Sequence, residues 1–213
     1  IIMTLIAALV VALGSILFPE PAPESPEVPA VTTPISGNGL TVHFIDVGQA
    51  DCALLECGGE YILIDGGNIS DSQLVVSYLE KQGVERLLAV VCSHAHEDHV
   101  GGLPSFLDLL TWYYKTPNPV ICLPQTECVD VIRAWLKQLS VDMKELEFKA
   151  ITPGVIYDDG FLKVTAIPTE HCPLSYAFLL EAEGKEVLFT GDLKHPTVDF
   201  PEIATKQHMD LVV

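Results

Sequence analysis

The sequence predicts an α/β fold, and three observations carry the prediction. Short apolar runs rich in Val, Ile and Leu alternate with segments whose apolar residues recur at helical spacing. With 213 residues, 49% of them hydrophobic, the chain has material for one sizeable core. One nearly continuous apolar run, Leu87 to Cys92, leads straight into Ser93-His94-Ala95-His96-Glu97-Asp98-His99-Val100-Gly101-Gly102, a polar loop that opens onto a helix.

The order of elements follows from the chain. Ile1 to Phe18 is almost wholly apolar, broken only by Thr4, Gly14 and Ser15, and is expected to be a helical signal peptide or membrane anchor. No Lys or Arg precedes Lys81 and the first residue is not Met, so the true N-terminus is expected to lie upstream. Residues 19–39 read as an extended linker rich in Pro and Glu, which puts the folded domain at residues 40–213. A tethered or secreted domain outside the cytoplasm is the matching expectation.

Within the domain, Leu40 to Val47, Cys52 to Cys57 and Tyr61 to Asp65 are rich in β-formers, with Gly58-Gly59 as a hairpin turn. Asp71 to Gln82 reads as a helix presenting Leu74, Val75, Tyr78 and Leu79 on one face and closed by Gly83. After the strand at Leu87 come a helix from Ser105 to Trp112, a strand from Pro119 to Leu123 and a helix from Glu127 to Leu139. Strands follow at Lys144 to Ile151, Phe161 to Pro168, Ser175 to Ala182 and Lys185 to Thr190. A short helix near Pro201 to Gln207 and a last strand from Asp210 complete the domain.

Composition narrows function. The chain has 29 acidic and 11 basic residues and a formal charge of -18, so it is not expected to offer a generic nucleic-acid-binding surface. The six cysteines form no Cys-x-x-Cys knuckle. Cys52 and Cys57, an odd number apart on one strand, face opposite sides and should not pair. Cys92 and Cys122 read as buried thiols.

Chemistry concentrates in the loop after Cys92. Three imidazoles and a carboxylate within six residues offer the nitrogen and oxygen donors that Zn²⁺ and its neighbours accept. If the loop is extended, His94 and His96 point the same way, and Asp98 and His99 come round on a second side. Two such pairs suit two divalent ions, Zn above all with Mn or Fe as alternatives. The glycines that follow let backbone crowd close. Asp65, after Ile62-Leu63-Ile64 and before Gly66-Gly67, is expected to stand behind a ligand, hydrogen-bonded to its imidazole; a plain turn Asp is the alternative.

The motif His-x-His-x-Asp-His at a strand end resembles the signature of the metallo-β-lactamase superfamily. Thr41 to Asp51 and Ile62 to Gly67 look like the opening strands of the hydrolase domain of DNA-uptake competence proteins. Pro168-Thr169-Glu170-His171 and Phe189-Thr190-Gly191-Asp192 look like the tRNase Z and phosphodiesterase branch. The resemblance implies a four-layer αββα sandwich, and it implies ligands: His94, His96 and His171 for one ion, Asp98, His99 and a bridging Asp192 for the other. It also implies a final His ligand just past the strand at Asp210, which leaves the domain C-terminally truncated at Val213. Drug-hydrolysing lactamases often carry Cys where Asp192 stands and lack the His that follows the loop Asp, so the pattern favours phosphate esters.

The function expected is therefore a binuclear metal-dependent hydrolase using a metal-activated water, with Asp98 orienting that water or taking its proton. Its substrate is expected to be a small-molecule or nucleotide phosphodiester. A carbonyl substrate such as a thioester or lactam, or a non-catalytic binding domain of a DNA-uptake assembly, are the alternatives. His195 is read as an exposed residue near the site, and His43 and His208 as structural.

Overall fold

The computed structural model describes residues 39–113, 119–143, 146–195 and 208–213. The apolar segment at residues 1–18, the linker up to residue 38 and the helix expected near Pro201 to Gln207 lie outside them. Among the described residues no helix is long and apolar enough to cross a membrane.

Two sheets form the frame. The first has the order β1 (Thr41–Phe44), β2 (Ala53–Cys57), β3 (Glu60–Ile64), β4 (Ala89–Val91), β5 (Val120–Leu123) and β6 (Glu147–Ala150). Its first three strands run antiparallel and the rest parallel. The β2–β3 hairpin turns at Gly58-Gly59, where Cys57 pairs with Glu60 and both glycines take the positive φ that such a tight turn requires. The second sheet comprises β7 (Gly154–Asp158), β8 (Leu162–Thr169), β9 (Ser175–Ala182), β10 (Lys185–Phe189) and β11 (Leu211–Val212), antiparallel except for β10 with β11.

Alternation along the strands sorts side chains into separate cores. On β2, Ala53, Leu55 and Cys57 face the second sheet and share a core with Val164 of β8 and with Phe178 and Leu180 of β9. Leu54, between Ala53 and Leu55, faces the other way, onto the helices. Cys52 and Cys57 accordingly lie in different cores, and all six cysteines are free thiols.

Helices α1 (Ser72–Lys81), α3 (Leu103–Tyr113) and α4 (Thr126–Gln138) cover the outer face of the first sheet, with a single helical turn, α2 (Glu97–Val100), leading into α3. Helix α1 buries Val75, Val76 and Leu79, α3 buries Leu103, Phe106, Leu107 and Leu110, and α4 buries Val129, Ile132 and Leu136. Each fully buried Leu or Phe contributes roughly 1.5–3 kcal/mol, so this helix-on-sheet layer holds the site strands firmly. The face of α1 differs from the expected one. Leu74 is exposed and Val76 takes the buried place, in the layer where α1 packs beside α3. The outer face of the second sheet carries a smaller cluster of Ala177, Leu179 and Leu188.

Two further differences from the sequence reading concern local structure. Strand β7 has no counterpart in it; this is a short, partly exposed edge strand with an irregular register between Val155 and Tyr157. The His-rich loop is not extended throughout, since its second half is the turn α2, in which Val100 N–H donates to His96 O at 3.0 Å.

Candidate metal centre

The site lies where strands of both sheets end. Strand β3 ends at Ile64 and delivers Asp65, and β4 ends at Val91 and delivers Ser93, His94 and His96. Helix α2 then turns the chain so that Asp98 and His99 come back to the same place. From the second sheet, β8 leads to His171 and β10 leads to Asp192. The sheets are joined here by Tyr176 N–H donating to Ser93 O at 3.1 Å, and the two second-sheet loops by Lys194 N–H donating to Glu170 O at 2.8 Å.

Close packing of backbone makes the turn possible. A Cβ on Gly102 would sit 2.7 Å from Asn68 O and 2.8 Å from Gly66 O, so no larger residue fits without movement. Gly191, at φ 56, lies against Tyr176 O and Ser93 in the same way.

Four donor atoms converge first. His94 Nε2 is 3.1 Å from His96 Nδ1, which is 3.2 Å from His171 Nε2. Asp192 Oδ2 is 3.3 Å from His171 Nε2 and 3.9 Å from His94 Nε2. Ligands about 2.0–2.1 Å from a tetrahedral ion stand about 3.3 Å from one another. The set therefore fits a divalent ion of that size.

A second set lies alongside. His99 Nε2 is 3.8 Å from Asp98 Oδ1 and 3.6 Å from Asp192 Oδ1. Asp192 thus turns one oxygen to each set. The six residues singled out in the sequence as ligands are all brought to this one place.

Behind the histidines stands a buried bracket. Asp65, 2% exposed, accepts from Ser93 N–H and Ser93 O–H, both at 2.7 Å, and from His99 Nδ1–H at 3.0 Å. Ser93 Oγ is also 3.1 Å from His94 Nδ1. The back nitrogens of His94 and His99 are thereby engaged and their Nε2 atoms are left facing the two sets. Asp65 holds this position at φ 55, a left-handed conformation that Asp tolerates better than most residues.

Electrostatics differ between the two buried imidazoles. Burial, helped by the positive charge of His99, pushes His94 down to about 4, so it is neutral near pH 7 with its lone pair free. Burial also pulls on His99, but the hydrogen bond to Asp65 and the charges of Asp65, Asp51 and Asp192 outweigh it and raise its pKa.

Two residues of the site carry no assigned role in the sequence reading. Ser93 figures there only as the start of the motif. Asp51 figures only as part of a strand-end pattern, yet its exposed carboxylate brings Oδ2 to 3.8 Å from His99 Nδ1. The pairing of Ala53 with Ile64 is the signal that points to it, since that register carries Asp51 toward the end of β3. His195 and His208 are exposed. His43 is structural, its Nδ1 3.2 Å from the Tyr78 hydroxyl.

Comparison with known proteins agrees with this architecture. A model of the metallo-beta-lactamase superfamily matches residues 45–205. Ribonuclease Z of Azobacteroides pseudotrichonymphae is 29% identical over 146 residues, 66% of this chain and 48% of that protein. Mouse 5' exonuclease Apollo is 29% identical over 139 residues, 62% of this chain and 23% of that protein. The chain thus spans about half or less of the length of these relatives. The crystal structure of human tRNase Z, short form, superposes with a TM-score of 0.59 at 20% identity, covering 72% of this chain and 69% of that one. The helix-backed pair of sheets, the His-x-His-x-Asp-His loop and the family match together place this chain in the metallo-beta-lactamase superfamily.

Proposed function

We propose that this domain is a metal-dependent hydrolase of phosphodiesters, acting on nucleic acid or a nucleotide, with two divalent ions at the site. The observation that carries the reading is the division of Asp192 between two donor sets, Oδ2 toward His94 and His171 and Oδ1 toward His99. The names of the relatives, ribonuclease Z and a 5' exonuclease, support nucleic acid as the substrate class.

His94, His96, His171 and Asp192 would hold one ion, and Asp98, His99 and Asp192 the other. When bound, such ions supply a nucleophile at neutral pH and offset the charge that develops on the phosphoryl oxygens. The protein's own part is to present imidazoles in fixed orientations. Asp65 and Ser93 do this for His99 and His94. Asp98, whose side chain is 41% exposed, would orient the attacking water or take its proton.

The test is a panel on the metal-loaded, full-length protein: a phosphodiester, an oligonucleotide, a thioester and a lactam, with metal content measured alongside. Phosphodiester cleavage that disappears on chelation and returns with Zn or Mn is the expected result. Turnover of the thioester or lactam alone would replace this reading with carbonyl hydrolysis. The apolar segment at residues 1–18 supports a location outside the cytoplasm; a full-length reporter fusion found soluble in the cytoplasm would refute it.

A further inference from the structure

An acidic protein that takes an anionic substrate needs positive charge at the mouth of its site, and the described residues offer little. Helices α1 and α4 each lead into a strand that runs parallel to its neighbours, so Lys81 and Lys137, in their last turns, lie at the edge away from the site. Arg86, just before β4, lies at that far edge too and is paired with Glu60. Lys163 and Lys185 stand at the beginnings of β8 and β10, again the far edge, and are paired with Glu181 and Asp210. Lys149 is paired with Glu147, and Arg133 lies over the ring of Phe148.

Lys194 is different on each count. It is exposed and has no carboxylate partner among the described residues. It follows Asp192 by two residues, which keeps its Cα within about 7 Å of the ligand's. Its backbone N–H is fixed to Glu170 O, next to His171, so the side chain springs from a rigid base between the two second-sheet donors. A lysine there presents a compact charge with three donors, suited to a phosphate oxygen.

We propose that Lys194 is a phosphate-binding arm of this site, taking a phosphate next to the one that is cleaved and so favouring oligonucleotides over single phosphodiesters. This rests on the phosphodiester reading above.

The experiment compares the wild type with Lys194→Gln and Lys194→Arg as metal-loaded, full-length proteins. Equilibrium binding of a short phosphorothioate oligonucleotide is measured across a salt series, with cleavage of the unmodified oligonucleotide alongside. Lys194→Gln should weaken binding on the order of tenfold at low salt and lower the slope of log K against log salt by about one, and Lys194→Arg should restore both. Unchanged binding and slope in Lys194→Gln overturn the inference, even if the wild type cleaves the oligonucleotide. Binding that depends on Lys194 without cleavage of any phosphodiester overturns the hydrolase reading and keeps the arm. A wild type that does not bind the oligonucleotide overturns both.

Discussion

The two sheets contribute to the site in different ways. The first sheet supplies its floor: His94 and His99 are almost completely buried and lean on Ser93 and Asp65, themselves 2% exposed. The second sheet supplies rim residues only: His171 and Asp192 have side chains 20% and 40% exposed and are carried on loops, beside the exposed His96 and the 41% exposed Asp98 of the first sheet's loop. Floor residues are part of the packing of the domain, whereas rim residues are held mainly by backbone contacts. Loss of a floor residue should therefore damage folding and metal binding together, and loss of a rim residue should separate them.

The largest effect is expected at Asp65. Asp65→Ala leaves two buried donors of Ser93 and one of His99 without their acceptor, which should cost about 3–5 kcal/mol. Urea unfolding of the metal-free protein measures this, and a loss below about 1 kcal/mol would mean that the floor is not a structural unit. Gly102→Ala comes next. Its new methyl group must push the backbone at Asn68 and Gly66 aside, at about 1–3 kcal/mol, and a neutral result in the same assay would show that the loop is less tightly packed.

A pH test sharpens the contrast. The folded-state pKa of His94 is lowered to about 4, while an unfolded imidazole titrates near 6.5. Between these values the unfolded chain binds more protons, so the contribution of His94 makes metal-free stability fall as pH drops from about 6.5 to about 4. His94→Gln should flatten that part of the profile; an unchanged slope would contradict the assignment. The smallest effect on stability belongs to the rim, where His171→Ala should cost no more than about 0.5 kcal/mol while metal content falls.

Legibility in the sequence follows the same division. Ser93, His94 and His99 of the floor belong to one contiguous motif at the end of an apolar strand, and residue order alone displays them. His171 and Asp192 stand far along the chain, and only their likeness to a known family joins them to it. The turn α2 escapes a sequence reading because Glu97 to Val100 has no apolar periodicity; backbone bonds to His96 and Glu97 hold it. Strand β7 escapes it because the strand is short, follows Pro153 and buries little. Leu74 falls on the wrong face of α1 because its spacing fits two overlapping stripes, and only the packing against α3 selects one. Asp51 becomes visible as a neighbour of His99 only once β2 is paired with β3.

In the proposed centre Asp192 turns one oxygen to each donor set and would be shared by two ions. Titration of Zn²⁺ into the metal-free, full-length protein by calorimetry tests this most directly, with Asp192→Asn and His171→Ala in parallel. His171→Ala is expected to weaken one class of site and leave the other, while Asp192→Asn weakens both. Asp192→Asn with both classes intact, or with only one of them weakened, would contradict the shared centre.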